Sequence, residues 1–300
     1  MFNRELKSEK LPSVIYLFLV LPLVTFSTGS IGYGGYYSDY YGYSSFSADG
    51  VLVLAGFFLS LTVKERYLQY LFQLIATTQL LTMVFQEILS NNFGNTSRMI
   101  ALLLGVIALG VSVKVFVDHK ISVTIFIKGF FNRVQTTPHV IFGRVFAVLA
   151  LLSALGSGII ALTAMDNGRY SVPVLYNLIN AIASILISLL IAEVIFFLIS
   201  KNWNELASIK VALDDTTLNT YITRTLSSWT YLATRHFLFI AAVVAVPYTM
   251  SSLGIEWLPF FGGFFLLPLY ILFAYLVLMM IRLFFEYSNA LIHIVQNTSK

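Results

Sequence analysis

The sequence predicts an all-α, polytopic integral membrane protein with about eight transmembrane helices and both termini on the cytoplasmic side. Of the 300 residues, 58% are apolar and only 11% are charged, whereas soluble domains average about 25% charged residues. The apolar residues also lie in long runs, most of which approach the roughly 20 residues that a membrane-spanning helix needs. In lipid such runs must be helical, because every backbone amide needs a partner within its own segment.

Eight apolar runs follow one another in a single membrane domain, and each is assigned to one span. They cover residues 11–27, 46–63, 67–89, 99–117, 140–165, 174–200, 237–253 and 260–281. Only Lys64, Glu65 and Arg66 separate the second run from the third, which predicts a tight helical hairpin. The first run has a basic start like that of a signal peptide. Its apolar stretch is long and its cleavage site is mediocre, so we expect it to remain as a span.

The basic residues predict the orientation, because cytoplasmic loops carry an excess of Lys and Arg. With eight spans, all 18 Lys and Arg residues except Arg98 and Arg169 fall on the side that holds both termini. This bias, with no visible organelle signal, predicts a bacterial inner membrane and cytoplasmic termini. Nucleic-acid binders cluster basic residues on one folded face. Here they are spread thinly between apolar runs, so we expect no nucleic acid partner.

Two segments between the spans are candidates for binding protein partners. The outer loop, residues 28–45, is rich in tyrosines that include Tyr36, Tyr37, Tyr40 and Tyr41. It is open to three interpretations: an aromatic belt at the membrane surface, a loop that binds a partner or glycan, or low-complexity disorder.

The second segment is a cytoplasmic insertion, residues 201–236, whose apolar positions, including Trp229, recur at helical spacing. Asp214 and Asp215 interrupt it, so we expect two amphipathic helices. A further amphipathic stretch at residues 121–134 is expected on the inner lipid surface, with a docking site for a soluble partner as the alternative.

Charged residues within spans are costly and often functional. The candidates are Lys114, Arg144 and Glu193, all toward the cytoplasmic third of their spans. A buried carboxylate and a basic side chain stabilise each other, because either alone would be an uncompensated charge. We therefore expect Glu193 to pair with Lys114 or Arg144. The alternatives are a substrate or proton site at Glu193, and basic side chains that extend to the interface.

Span three is rich in amides and hydroxyls, among them Gln73 and Gln79, and span six carries Asn180. Amides in lipid need hydrogen-bond partners, so we expect span three to be buried among other helices. These groups either bond helix to helix or, with Glu193, line a path for a substrate. Small residues in spans four and five predict close packing of these two spans, within the chain or between chains.

Signatures of catalysis and of metal binding are missing from the sequence. There are no cysteines, which excludes disulfides, thiolate metal sites and a cysteine nucleophile. The four histidines show no ligand spacing, and no His-Glu-x-x-His pair, phosphate-binding glycine loop or nucleophile elbow occurs. We therefore expect no catalytic residues, no metal and no cofactor.

The end of the chain carries one resemblance. The eighth apolar run continues into Arg282 and Glu286 and then into an apolar tail that ends near Asn297. This arrangement, over about 35 to 60 residues, resembles the C-terminal span of a family of short, two-span bacterial membrane proteins of unknown function. The resemblance implies a membrane span and carries no site residues over.

Three classes of function are compatible with these features. The first is a non-catalytic accessory, scaffold or assembly subunit of a membrane complex, with the lipid bilayer and other proteins as partners and homo-oligomers allowed. The second is a transporter or channel for a small, weakly charged or lipid-like solute, lined by Gln73, Gln79, Asn180 and Glu193. The third is a membrane enzyme that acts on lipid or glycan at the inner face through Glu193, Asp214 or Asp215. Sparse charge within the spans and the conspicuous loops favour the first class, and the missing catalytic signatures place the third class last.

Overall fold

A computed structural model describes residues 19–24, 48–89, 96–136, 140–163, 174–214, 223–252 and 259–298, and within these ranges the chain is helical apart from short turns. Residues 19–24 are helical. The helices that follow are α1 (Ala48–Thr62), α2 (Arg66–Leu89), α3 (Thr96–Asp118), α4 (Val123–Thr136), α5 (Val140–Thr163), α6 (Val174–Lys201), α7 (Trp203–Asp214), α8 (Thr223–Ser252) and α9 (Pro259–Thr298). The all-α class is confirmed for the described part of the chain.

Six of the described helices are long and apolar enough to cross a membrane, by length and composition: α2, α3, α5, α6, α8 and α9. They correspond to six of the eight apolar runs, and they indicate an integral membrane protein. α1 is apolar but shorter, with its apolar part at Gly50–Thr62. Only residues 19–24 of the first run are described, and the tyrosine-rich loop at residues 28–45 lies outside the described residues.

The segment between spans six and seven differs from the expectation. α7 ends at Asp214, beside the predicted interruption. The second expected helix is not separate, because α8 begins at Thr223 and continues without a break to Ser252. α9 likewise runs past the end of the eighth run to Thr298. Apolar periodicity marks where a helix is buried, whereas the polar turns that extend it follow from helix propensity and from contacts with neighbouring helices.

α2 lies at the centre of the helix packing. One apolar cluster joins α2 to α1, α8, α9 and residues 19–24, and includes Phe57, Leu80 and Val243. A second cluster joins the other side of α2 to α3, α4 and α6 through residues such as Leu71 and Leu190. A third joins α4, α5 and α6 around Phe196. The expectation that span three is buried among other helices is confirmed.

The small residues of span five pack against α6. Ala150 and Ala154 are buried, and a Cβ on Gly158 would lie 2.7 Å from the Ile185 side chain. The Ser157 and Ser188 hydroxyls lie 2.8 Å apart across the same interface. Span four instead places Gly105 against Leu23, at 2.7 Å from an added Cβ. The small residues thus permit close packing as expected, but of each span with a different helix.

The turn between α3 and α4 sends the chain across the end of the bundle. Lys120 has a φ of 52°, the left-handed conformation that commonly terminates a helix. The Ile121 N–H donates to the Phe116 carbonyl at 2.8 Å, and the Lys120 N–H donates to Val117 at 3.1 Å. This pair of bonds is the Schellman motif, here with a lysine where glycine is usual. It positions α4 over α5 and α6.

Candidate functional site

Three junctions of the chain meet at one end of the bundle: the α1–α2 hairpin, the α3–α4 turn and the end of α6. Lys201 at the end of α6 forms an ion pair with Glu65 in the hairpin. The rings of Tyr70 on α2 and His119 after α3 lie 5.6 Å apart. We call this region the hairpin end. It brings together side chains that are far apart in the sequence.

A buried carboxylate, Glu193 on α6, is the centre of the hairpin end. Its side chain is only 2% exposed. The Tyr67 hydroxyl on α2 donates a hydrogen bond to Glu193 Oε1. Arg133 Nη2 on α4 donates to the same oxygen and forms a salt bridge with it. One carboxylate oxygen therefore joins three helices, and the guanidinium compensates its charge in a setting where an isolated charge would be strongly destabilising.

Aromatic rings hold the guanidinium in position. Arg133 Cζ lies 4.5 Å from the centroid of the Tyr67 ring and 4.7 Å from that of Phe197. The two rings are themselves stacked, with centroids 5.3 Å apart and an interplanar angle of 25°. A planar guanidinium combines such contacts with directed hydrogen bonds, which a lysine ammonium does less well. The geometry therefore suits an arginine at position 133 better than a lysine.

Gly129 lets α4 approach the site closely. It lies one helical turn before Arg133, and a Cβ there would be 3.0 Å from the Tyr67 hydroxyl oxygen and 3.8 Å from Glu193 Oε1. Such a Cβ would be crowded against the Tyr67–Glu193 hydrogen bond. Because Gly129 has no side chain, the backbone of α4 can pack directly over the Glu193 carboxylate.

The second oxygen of the carboxylate, Glu193 Oε2, is buried and has no hydrogen-bond partner among the described residues. A buried acceptor without a partner costs free energy. Chemically, this oxygen can accept a proton or a hydrogen bond. It is the feature of the site that a purely structural ion pair explains least well.

The predicted partners of Glu193 were wrong. Lys114 and Arg144 are both exposed, and the described ion pair of Glu193 is with Arg133. The sequence pattern placed α4 on the inner lipid surface, and Arg133 entered only the charge bias that predicts orientation. A signal was present, because Arg133 falls on the same helical face as Phe126 and Phe130, which are buried. A basic residue on the apolar face of an amphipathic helix needs an acidic partner on a helix against which that face packs.

Gln73 bonds between helices. Its Nε2 lies 3.5 Å from the Ser112 hydroxyl on α3, and Ser112 is 2.5 Å from the Thr77 hydroxyl on α2. All three side chains are buried. This cluster ties α2 to α3 in the manner expected of polar groups that hold membrane helices together.

Gln79 and Asn180 do not join Glu193 in one site. Asn180 is half-buried and Gln79 is buried. Asn180 precedes Glu193 on α6 by roughly 20 Å of helix, and Gln79 follows Tyr67 on α2 by roughly 18 Å. The structure therefore distributes the four predicted path residues along the bundle rather than gathering them.

The remaining candidates are partner-loop residues. Tyr36, Tyr37, Tyr40 and Tyr41 lie outside the described residues. Trp229 is half-buried, and its indole N–H donates to Glu205 Oε2 at 2.7 Å. This bond joins α8 to α7, so the Trp229 ring serves a contact within the chain.

Within the described ranges, no group of three or more His, Cys, Asp or Glu side chains could hold a metal ion.

Comparisons of the chain with protein-family models, with curated proteins and with solved structures found no match. The site must therefore be interpreted from its own geometry.

Proposed function

We propose that the protein is a non-catalytic scaffold or assembly subunit of a membrane complex. In this proposal eight spans cross a bacterial inner membrane with both termini in the cytoplasm, in line with the charge bias of the loops. The resemblance of the last span to short bacterial membrane proteins fits the same placement. The surfaces that bind other subunits are the tyrosine-rich loop at residues 28–45 and the cytoplasmic segment at residues 201–236.

One observation carries the proposal: several buried polar side chains of the bundle bond side chains on neighbouring helices. Glu193 bonds Tyr67 and Arg133, and Thr77 bonds Ser112. A solute path needs polar groups that face a channel and exchange partners with the solute. Groups that bond helix to helix instead fix the relative positions of the helices, which is what a scaffold needs.

The first test of the proposal is extraction of the tagged full chain from its native membrane in mild detergent. Other polypeptides at fixed ratio are expected, and deleting residues 203–214 should release them while the chain remains in the membrane. A particle that contains only copies of this chain would contradict the accessory-subunit proposal.

Orientation can be tested separately, because the chain has no cysteine. Single cysteines at Lys120 and Ser299 are expected to react with a membrane-impermeant maleimide only after the cytoplasmic face is opened. A cysteine at Ser38 should react in intact cells. The reverse pattern would contradict cytoplasmic termini without deciding the scaffold function.

A second candidate function, transport of a small solute or proton, is favoured by the buried Glu193 Oε2. If this oxygen takes part in transport, Glu193→Gln abolishes flux in proteoliposomes, whereas Glu286→Gln at an exposed ion pair leaves it unchanged. For a scaffold, Glu193→Gln alters neither flux nor bound subunits as long as the fold persists.

A further inference from the structure

α4 is attached to the rest of the bundle by one face. Phe126, Phe130 and Val134 are buried on this side, which we call the inner face of α4, whereas the opposite side carries exposed polar residues. The spans beneath α4 also have contacts of their own, such as the Ser157–Ser188 hydroxyl pair between α5 and α6. A helix held in this way can separate locally while the helices under it stay packed.

The charged residue next to the inner face is Arg133, and its contact with Glu193 joins α4 to α6. The two side chains differ in burial: Arg133 is 24% exposed, whereas Glu193 is 2% exposed. Arg133 therefore needs only a small displacement to reach water, and Glu193 stays enclosed by the bundle. If the ion pair is lost, the side chain that moves is Arg133, and α4 moves with it.

The two oxygens of the Glu193 carboxylate are used unequally. The Tyr67 hydroxyl and Arg133 Nη2 both donate to Oε1, whereas Oε2 is buried without a hydrogen-bond partner among the described residues. A proton on Oε2 therefore displaces neither donor, and Oε1 of the neutral acid still accepts hydrogen bonds. The negative charge that compensates the guanidinium is nevertheless gone. The site can thus change its charge while its shape is kept.

Other described charged side chains on α2 to α7 do not take the place of this pair. Glu65 and Lys201 pair with each other, and Glu87 lies roughly 30 Å along α2 from Tyr67. The remaining ones are exposed, and so is His119, whose ring lies against that of Tyr70. These exposed side chains are Arg66, Lys114, Asp118, His119, Lys128, Arg144, Glu205 and Lys210.

We propose that Glu193 and Arg133 form a pH-sensitive latch on α4. While Glu193 is ionised, the ion pair holds the inner face of α4 on the bundle. When Oε2 takes up a proton from water, Arg133 is left without compensation, moves toward water and draws the inner face of α4 away from α6. The docked state is therefore favoured as the pH rises, and the released state as it falls. The latch does not depend on the scaffold function.

Cysteine labelling tests the latch on the full chain in native membranes. Because the chain has no cysteine, Val134→Cys places a single thiol on the inner face, next to Arg133. Gln135→Cys is the matched control on the exposed side. Glu193→Gln removes the charge and keeps the shape, so it is expected to raise the maleimide reaction rate at Val134→Cys by about tenfold and to leave Gln135→Cys unchanged.

Two results of this experiment would overturn the latch. One is an unchanged rate at Val134→Cys when Glu193 is replaced by Gln. The other is an equal rise at Leu80→Cys, in the apolar cluster of α1, α2 and α8. In that case the carboxylate would hold the whole bundle and not α4 in particular.

A second variant separates the charge of Arg133 from the hydrogen bonds of the site. In Glu193→Gln/Arg133→Met no guanidinium is left to seek water, so the rate at Val134→Cys is expected to return to within about twofold of the parent level. A rate as high as with Glu193→Gln alone would contradict the latch, because the loss of docking would then follow from the altered hydrogen bonds of the carboxylate.

The trigger is tested by labelling at several pH values. The ratio of the rate at Val134→Cys to that at Gln135→Cys cancels the ordinary pH dependence of a thiol. With Glu193 present, this ratio is expected to rise as the pH falls. With Glu193→Gln it is expected to be high at every pH. The same pH dependence in both chains, or none in either, would overturn protonation of Glu193 as the trigger.

Discussion

Helices α2 and α9 are both membrane-span candidates, but they occupy opposite environments. In α2, 61% of an 18-residue apolar stretch is buried within the protein. In the corresponding stretch of α9, only 17% is buried. α2 is also the less hydrophobic, with a mean hydropathy of 1.3 against 2.2. In a bilayer the lipid supplies an apolar surrounding at no cost, so the more polar helix is the one that must be enclosed by others. In α2 the more polar sequence thus accompanies the central position in the bundle.

The largest effect in this comparison is expected at the ion pair that covers the start of α2. Arg133→Met leaves Glu193 as an uncompensated buried charge and should lower the free energy of unfolding by about 3–5 kcal/mol. Arg133 is 24% exposed and Glu193 2%. The double variant Arg133→Met/Glu193→Met should recover most of the loss. Reversible unfolding in mixed micelles measures both, and a double variant as unstable as the single one would contradict this assignment.

Core packing provides the next contrast. Leu80→Ala on α2, where the side chain is fully buried, should cost about 2–5 kcal/mol because it leaves a cavity. Leu272→Ala on α9, where the side chain is 58% exposed, should change stability by less than about 0.5 kcal/mol. The same unfolding assay compares them. Equal losses would show that the α9 surface is covered.

The close approach of α1 to α2 gives a smaller effect. A Cβ on Gly56 would lie 2.8 Å from Ala76 Cβ and 3.0 Å from the Phe72 carbonyl oxygen. Gly56→Ala should therefore destabilise the protein by about 1–3 kcal/mol through crowding. Gly156→Ala on α5, where nothing lies within 4 Å, should raise stability by about 0.5–1 kcal/mol through helix propensity. Thermal unfolding followed by circular dichroism should give shifts of opposite sign.

The smallest effect is expected from the hydroxyl pair between α2 and α3. Thr77→Val removes the bond to Ser112 and should cost about 0.6–1 kcal/mol, the usual value for a hydrogen bond between membrane helices. Thr163→Val at the exposed end of α5, whose hydroxyl bonds only its own helix in the described structure, serves as the control. A loss above about 2 kcal/mol at Thr77 alone would indicate that the cluster has a larger role than joining two helices.

The candidate site was predictable in part. Glu193 stands out in the sequence because it is an acidic residue within a long apolar run, and the structure does bury it. Its partners, Tyr67 and Arg133, could not be predicted from where they lie relative to the spans. Tyr67 follows the hairpin and Arg133 lies in an amphipathic helix, so neither residue looks like part of an intramembrane site until the helices are packed. α8 shows the same limit, since its polar first turns predicted a separate amphipathic helix and not the beginning of span seven.

By itself the sequence determined the helical class, the membrane-like composition, the approximate bounds of α2, α3, α5 and α6, and the residue whose charge needs compensation. These properties depend on local composition and on the cost of exposing backbone and charge to lipid. Only the tertiary structure decided that Arg133, and not Lys114 or Arg144, lies beside Glu193. It also decided that α2 is central and that one face of α9 stays exposed. Such choices depend on which helices pack together, and that is set by contacts between residues distant in the chain.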